Sequence, residues 1–187
     1  PQRFSAKVTP PGIWRMAMPL LIHGGDVLTP EHRIRNGAIL ISEDHIVAVG
    51  PWEELREQSS EIATINVRGR LITPGFIDLQ VNGAGGRLLT AEPTIESLKV
   101  MSGALAPFGC TAFLPTIIST TTDGILAGLR AVKQAMGEQL PGAAVLGCHV
   151  EGPFITPEQR GAHRLRFIRP PSVEEFSLWM EAAEGSL

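Results

Sequence analysis

The sequence predicts an α/β protein: an incomplete (β/α)8 TIM barrel, limited to its first three βα units, preceded by part of a small β-domain. Two observations predict this fold. Short strand-like segments separated by turns fill residues 18–70, and strand and helix patterns alternate over residues 71–187. Such an alternation is typical of parallel strands joined by helical crossovers.

The bulk composition excludes several classes of function. The chain has 187 residues, 43% of them hydrophobic, and a net charge of -3, so nothing favours binding to nucleic acid or to a membrane surface. Cys110 and Cys148 lie in apolar segments and show no metal-type spacing. We therefore expect reduced, buried thiols and a cytoplasmic location.

Residues 1–17 contain prolines and lack any periodicity. Met16 and Met18 directly precede the first apolar run. We expect residues 1–17 to be a disordered leader or to lie upstream of the true start of translation.

The predicted β-domain consists of short segments. Strands are predicted at residues 20–23, 38–42, 45–49 and 64–67, a short helix at 51–58, and turns at Asn36-Gly37 and Glu43-Asp44. The second turn predicts a tight hairpin between its flanking strands.

The second region predicts three βα units in succession. Strands are expected at residues 71–82, 111–114 and 143–151. Helices are expected to begin at Thr94, near Thr122 and at Ser172, and Gly109 and Gly137 should end the first two. The sequence Ser172-Val173-Glu174-Glu175 fits a capping box.

Three βα units do not close a barrel, which needs eight units and typically about 250 residues. We expect the chain to be truncated. A small open three-layer sheet is the alternative.

The first predicted barrel strand carries a polar row at its carboxyl end. Strand alternation places Ile77, Leu79 and Val81 on one face, suited to packing under helices, and Asp78, Gln80 and Asn82 on the other. Active sites of barrels form at this end of the strands. The alternative is that Gln80 and Asn82 merely tie strand ends together.

The third predicted strand places His149 and Glu151 on one face, again at its carboxyl end. A carboxylate there requires a cation or a network of hydrogen bonds, and a metal ion is one candidate. A buried His149–Glu151 pair without a ligand is the alternative.

The loop that follows contains His163 and four arginines: Arg160, Arg164, Arg166 and Arg169. His163 is a candidate hydrogen-bond donor to a polar substrate, and the arginines could attract a phosphate. A solvated loop with an exposed His163 is the alternative.

Three motifs together carry a family resemblance: PGFIDLQVNG at residues 74–83, HVEGPF at 149–154 and GAH at 161–163. In this order and spacing they resemble N-acetylglucosamine-6-phosphate deacetylases of the amidohydrolase superfamily, over residues of about 18–187. The resemblance implies a (β/α)8 barrel with a small β-sandwich, to which residues 18–70 would contribute. It also implies cleavage of the N-acetyl amide of a small phosphorylated amino sugar, and a homodimer when full length.

The resemblance also implies roles for individual residues. Glu151 would be the first protein ligand of a catalytic metal, with Ala162 and His163 contacting substrate and His149 beside the site. Many amidohydrolases have His-x-His where Gln80 and Asn82 stand here. Because amides are poor ligands for transition metals, one divalent ion is expected, zinc before iron(II).

The remaining family residues have no match in this chain. The resemblance implies a catalytic aspartate and two further metal-ligating histidines downstream, so no catalytic acid/base is assigned and we expect the 187 residues alone to be inactive. Two other functions stay open: another amidohydrolase, dihydroorotase- or deaminase-like, and a non-enzymatic binding module.

Overall fold

The computed structural model describes residues 19–57 and 62–187. These residues form two compact units, and the chain passes from one to the other between Pro74 and Gly75. Both helices and sheets are present, so the predicted mixed α/β character is confirmed. The leader expected at residues 1–17 lies outside the described residues.

The unit that ends at Pro74 is built on one five-stranded sheet. Its elements are β1 (Leu20–Leu28), β2 (Arg33–Ser42), β3 (His45–Pro51), α1 (Trp52–Leu55), β4 (Ala63–Asn66) and β5 (Leu71–Ile72). The strand order is β3-β2-β1-β4, and β5 also pairs with β1. The first three strands are antiparallel, whereas β4 and β5 run parallel to β1. Leu21, Ala38 and Leu55 form its core.

The two predicted turns in this unit have different outcomes. Glu43 and Asp44 connect β2 to β3 as a tight hairpin, as predicted, with Glu43 at φ 56°. The turn predicted at Asn36-Gly37 is wrong, because both residues lie inside β2. Asn36 has φ 45° and donates its backbone N–H to Asp26 Oδ1 at 2.9 Å. The left-handed conformation of Asn36 thus belongs to an irregularity in the pairing of β1 with β2 and not to a turn.

The unit that begins at Gly75 contains the predicted βα units. Its elements are β6 (Phe76–Val81), β7 (Gly83–Ala84), β8 (Arg87–Leu88), α2 (Ile95–Leu105), β9 (Cys110–Ile118), α3 (Thr122–Met136), β10 (Ala144–Val145), β11 (His149–Glu151) and α4 (Val173–Ala183). Short 3-10 helices lie at Ala106–Phe108, Pro157–Gln159 and Leu165–Phe167.

The central strand of this unit is β9. It pairs in parallel with β6, with β10 and with β11. β10 and β11 pair with successive parts of β9, at Ala112–Phe113 and at Thr116–Ile118, so together they stand as one interrupted third strand. All carboxyl ends therefore lie at the same edge, while β7 and β8 form a separate small hairpin.

Two predicted strands are in fact broken. The strand predicted at residues 71–82 is wrong, since β5 and β6 belong to different sheets. The break falls at Thr73–Gly75, where Pro74 lacks an N–H to continue a ladder.

The strand predicted at residues 143–151 is also interrupted, at residues 146–148. There the backbone N–H of Cys148 donates to the Ser186 carbonyl at 2.6 Å instead of to a neighbouring strand. A side chain on Gly147 would approach the same carbonyl, because an added Cβ would lie 2.8 Å from it. The Ser186 carbonyl, which follows α4, thus accepts the N–H that a carbonyl of β9 would accept in a continuous strand.

The helix boundaries follow the predicted caps. The hydroxyls of Thr94, Thr121 and Ser172 each accept a backbone N–H at the first turn of α2, α3 and α4. Gly109, at φ 82°, follows the first helical segment. The capping box is only half formed, because the carboxylate of Glu175 binds other side chains rather than the backbone N–H of Ser172.

The hydrophobic core of this unit lies between the sheet and its helices, with Phe113, Ile117 and Leu129 fully buried. Cys110 and Cys148 are free and buried, as predicted. Burial raises the pKa of the Cys148 thiol to about 12. Within residues 19–57 and 62–187, no helix combines the length and the apolar character needed to traverse a bilayer.

Candidate functional site

The candidate site lies where the parallel strands of the second unit end. Glu151 is the last residue of β11, Gln80 is the penultimate residue of β6, and Ser119 directly follows β9. In α/β folds ligands bind at the carboxyl ends of parallel strands. The topology thus gathers side chains that are distant in sequence.

Glu151 is the centre of this cluster. Its Oε2 accepts a hydrogen bond from Gln80 Nε2 at 2.8 Å, and its Oε1 lies 3.3 Å from His163 Nε2. The side chain is 37% exposed, so it is not enclosed by these two contacts. Gln80 and Glu151, 71 positions apart in the sequence, are thus in direct contact.

His163 is buried, with 6% of its surface exposed, although it lies in an irregular loop. Its Nδ1 accepts the backbone N–H of Ser119 at 3.2 Å and lies 2.6 Å from Ser119 Oγ. The alternative of a solvent-exposed His163 is therefore wrong. The ring joins the end of β9 to the carboxylate at the end of β11.

Gly152 makes this close approach possible. It has φ 79°, and a Cβ at this position would lie 2.3 Å from Ser119 Oγ and 3.3 Å from His163 Nδ1. A side chain at residue 152 would therefore displace the two groups that meet there. The requirement for glycine directly after Glu151 has both a conformational and a steric cause.

The other predicted neighbours of Glu151 are placed differently. His149 Nδ1 lies 3.4 Å from Thr116 Oγ1, the residue beside it in register on β9. The histidine that contacts Glu151 is His163, so the alternative of a paired His149 and Glu151 does not describe this cluster. Asn82 is partly buried, and its carbonyl accepts the N–H of Leu89 at 3.4 Å. Ala162 is exposed.

The alternation predicted for β6 does not hold throughout. Its pairing with β9 shifts register between Asp78 and Val81, and Asp78 Oδ1 accepts the backbone N–H of Gln80 at 3.1 Å. Val81 is buried as expected, but Ile77 and Leu79 are 58% and 64% exposed. Within the described residues neither belongs to the buried cluster under the helices, so their predicted packing is not observed there.

Arg169 has a structural role in place of the predicted attraction for phosphate. Its guanidinium donates to Glu175 Oε2 at 2.8 Å and to the carbonyls of Thr120 and Phe167, each at 2.9 Å. The bond to Glu175 raises the pKa of Arg169 and lowers the pKa of Glu175. The pair fixes the loop to the start of α4.

The described residues do not by themselves fit a metal ion. Across residues 19–57 and 62–187, no three or more His, Cys, Asp or Glu side chains are grouped so that they could hold one. Glu151 offers one carboxylate with a partly open side, and its amide neighbour Gln80 is a poor metal ligand. These side chains could therefore supply at most one of the ligands that a metal ion requires.

Ser119 and Thr116 are the site residues that sequence reasoning missed. Both lie at the end of β9 or just after it, where the strand-end rule would have indicated them. Small hydroxyl residues are common in such loops. The run Ser119-Thr120-Thr121-Thr122 predicts the start of a helix before it indicates a site.

The chain resembles proteins of known activity. A family model described as "Imidazolonepropionase-like composite domain, bacteria" matches residues 37–59. The N-acetylglucosamine-6-phosphate deacetylase of Haemophilus influenzae is 35% identical over 145 residues, covering 76% of this chain and 37% of that protein. The N-acetylgalactosamine-6-phosphate deacetylase of Shewanella sp. is 32% identical over 166 residues, covering 89% and 41%.

Comparison of the fold with solved structures gives the same resemblance. The crystal structure of N-acetylglucosamine-6-phosphate deacetylase from Pasteurella multocida matches with a TM-score of 0.80 and 28% identity, over 89% of this chain and 42% of that one. The chain spans less than half the length of these relatives. The resemblance predicted from the motifs is therefore confirmed: along most of its length this chain is similar to N-acetylglucosamine-6-phosphate deacetylases.

Proposed function

We propose that the protein of which these residues form part hydrolyses the N-acetyl amide of N-acetylglucosamine 6-phosphate, giving glucosamine 6-phosphate and acetate in amino sugar catabolism. One observation carries the proposal. Glu151 lies at the carboxyl end of the third parallel strand, in contact with Gln80 and His163, and its side chain is partly exposed. Relatives named for this activity support it.

We also propose a domain assignment that moves the boundary expected from the sequence by four residues. Residues 75–187 would form the first three βα units of a (β/α)8 barrel, and residues 18–74 would form part of a β-sandwich, because β5 pairs with β1. The parallel arrangement of β6, β9 and the β10–β11 pair supports the first assignment. The sheet of β1 to β5 supports the second.

Glu151 is the proposed ligand of one divalent metal, zinc before iron(II). A single ion is favoured because amides, not imidazoles, occupy positions 80 and 82. When bound, such an ion acts as a Lewis acid towards the amide carbonyl and makes water more acidic. The further ligands and the acid/base aspartate expected from the resemblance would come from other parts of the protein.

Ala162 and His163 are the proposed substrate contacts. His163 Nδ1 accepts the backbone N–H of Ser119, and its Nε2 lies 3.3 Å from Glu151 Oε1. An imidazole in this position can donate a hydrogen bond to a polar substrate. Gln80 would orient the carboxylate of Glu151 by its amide N–H. His149 and Asn82 stay predicted neighbours of the metal, and the cytoplasmic location and the homodimer also stay predictions.

The test is acetate release by the complete protein. We expect release from N-acetylglucosamine 6-phosphate and much less from N-acetylglucosamine, which lacks the phosphate. N-acetylgalactosamine 6-phosphate belongs in the same assay, because one relative is named for it. Absence of acetate release from both phosphorylated sugars, in a folded protein loaded with zinc or iron(II), would refute the proposal. Activity on a dihydroorotate or a nucleobase would favour another amidohydrolase function.

A further inference from the structure

Ser119 contacts His163 through two different atoms. Its backbone nitrogen lies 3.2 Å from His163 Nδ1, and its Oγ lies 2.6 Å from the same nitrogen. Ser119 is 3% exposed and His163 is 6% exposed, so neither contact competes with bulk water. Their position directly after β9 is fixed by the sheet.

These contacts define which ring nitrogen carries the proton. A backbone N–H can only donate, so its bond to Nδ1 requires a lone pair there. The Oγ hydroxyl can donate or accept; with Nδ1 unprotonated it can only donate there, and the two donors of Ser119 share the single Nδ1 lone pair. A neutral imidazole with an accepting Nδ1 carries its hydrogen on Nε2.

The contact made by the other ring nitrogen, Nε2, agrees with this assignment. His163 Nε2 lies 3.3 Å from Glu151 Oε1, and a carboxylate oxygen accepts hydrogen bonds. The other tautomer would set two lone pairs against each other at this contact and would leave the N–H of Ser119 without its acceptor. An unmade hydrogen bond of a buried donor is costly.

The surrounding backbone holds the ring in this orientation. Gly152 leaves room for Ser119 Oγ and the ring to meet. The His163 backbone N–H donates to the Arg160 carbonyl at 3.0 Å, and Arg160 Nη1 lies 3.4 Å from the His163 carbonyl. The loop is thus tied at both the main chain and the ring of His163.

We propose that Ser119 is a positioning residue: by donating to Nδ1 it keeps that nitrogen unprotonated and holds the ring with its Nε2–H directed at Glu151. The consequence for substrate rests on the proposed function, since the same N–H would then be available to a bound amide. The tautomer itself rests only on the contacts described.

The experiment uses the complete protein labelled with nitrogen-15. Long-range proton–nitrogen correlation distinguishes a protonated ring nitrogen from an unprotonated one, which coordinates without hydrogens do not show. We expect an unprotonated Nδ1, a protonated Nε2, and slow exchange of the Nε2 hydrogen with water. A protonated Nδ1, or a mixture of tautomers in rapid exchange with water, would overturn the proposal.

Substitutions at Ser119 separate the effect of its hydroxyl from that of its backbone N–H. In Ser119→Ala we expect faster exchange of the Nε2 hydrogen and a mixture of tautomers, because only the backbone donor remains. Ser119→Thr, which keeps a hydroxyl, should restore the single tautomer. Ser97→Ala, at a buried serine in α2, is the matched control and should leave the ring signals of His163 unchanged. Signals unchanged in Ser119→Ala would refute the role of the hydroxyl.

This experiment is independent of catalysis. If the tautomer is as proposed but the complete protein releases no acetate, the proposed function fails and the positioning role stands. If acetate is released while Nδ1 carries the hydrogen, the reverse holds. If Ser119→Ala does not fold, the spectrum of the unchanged chain still decides the tautomer.

Discussion

The two sides of β9 differ in what their side chains do. Phe113 and Ile117, on the side that faces the helices, are fully buried in the apolar core. Thr116, which points the other way, lies beside His149, and the residue just past the strand end contacts His163. A single strand thus separates the residues that stabilise the fold from those that build the candidate site.

The difference lies in the type of contact. Packing dominates the helix side: at Gly128 of α3 an added Cβ would lie 2.5 Å from Ile117 Cδ1, so helix and strand are in close contact. Directional hydrogen bonds dominate the site side, where Glu151 receives two donors. Substitutions on the first side should therefore lower stability, and substitutions on the second should lower activity at nearly constant stability.

The largest effect is expected on the site side. In the complete protein, Glu151→Gln should lower acetate release by more than about 100-fold, since loss of a ligand exceeds the effect usual for outer-shell changes. Steady-state kinetics measures the loss, and urea denaturation should show nearly constant stability. Glu158→Gln, at an exposed glutamate in the following loop, is the control. Normal turnover by Glu151→Gln would contradict its assigned role.

On the helix side, Phe113→Ala should reduce the free energy of unfolding by about 3–5 kcal/mol, because it removes a fully buried ring and leaves a cavity. Urea denaturation followed by circular dichroism measures the change. Phe108→Ala removes a ring that is 82% exposed and should have little effect. Equal losses in the two variants would contradict the comparison.

Gly152→Ala tests the boundary between the two sides. It introduces both a strained φ and a clash with Ser119 Oγ, and should cost about 1–3 kcal/mol in backbone strain alone. Gly161→Ala has the same kind of strain, at φ 55°, but no atom within 4 Å of the added Cβ. Only Gly152→Ala should shift the ring resonances of His163. A shift of equal size in Gly161→Ala would show that strain rather than contact matters.

The smallest effect is expected for the Arg169–Glu175 pair. Arg169 holds the pKa of Glu175 below its ordinary value of 4.5 in the folded protein. The Arg169–Glu175 pair therefore contributes fully to the free energy of unfolding above pH 4.5. This contribution is lost as the pH falls through the lower pKa that Glu175 has in the folded protein. Glu175→Gln should be less stable at neutral pH and should lose less stability on acidification. Glu181→Gln, exposed on the same helix, should behave like the unchanged chain; equal acid sensitivity of both variants would contradict the role of the pair.

Local signals made part of this fold predictable. Thr94 and Ser172 cap their helices as expected, and the Glu43-Asp44 hairpin formed, because each depends on residues within a few positions. The broken third strand could not be predicted, since it depends on a carbonyl at Ser186, which is distant in sequence. Likewise, nothing within β6 indicates that Ile77 and Leu79 are exposed, because burial depends on what packs against a strand.

The candidate site was partly predictable for the same reason. The strand-end rule located Gln80 and Glu151 at the carboxyl ends of two strands that each pair with β9. Their direct contact is not given by strand pairing, because β6 and β11 do not pair with each other and the long Gln80 side chain makes the contact. The partner of Glu151 was not predictable from alternation: His149 shares its strand, but His163 from the loop makes the contact. Ser119 was missed because its role appears only once His163 is placed beside it.

The most direct test of Glu151 as a metal ligand is anomalous diffraction from crystals of the complete protein grown with zinc. We expect an anomalous peak within bonding distance of the Glu151 carboxylate, with Gln80 and His163 beside it. A fully occupied ion elsewhere, with Glu151 bound only to Gln80 and His163, would contradict it.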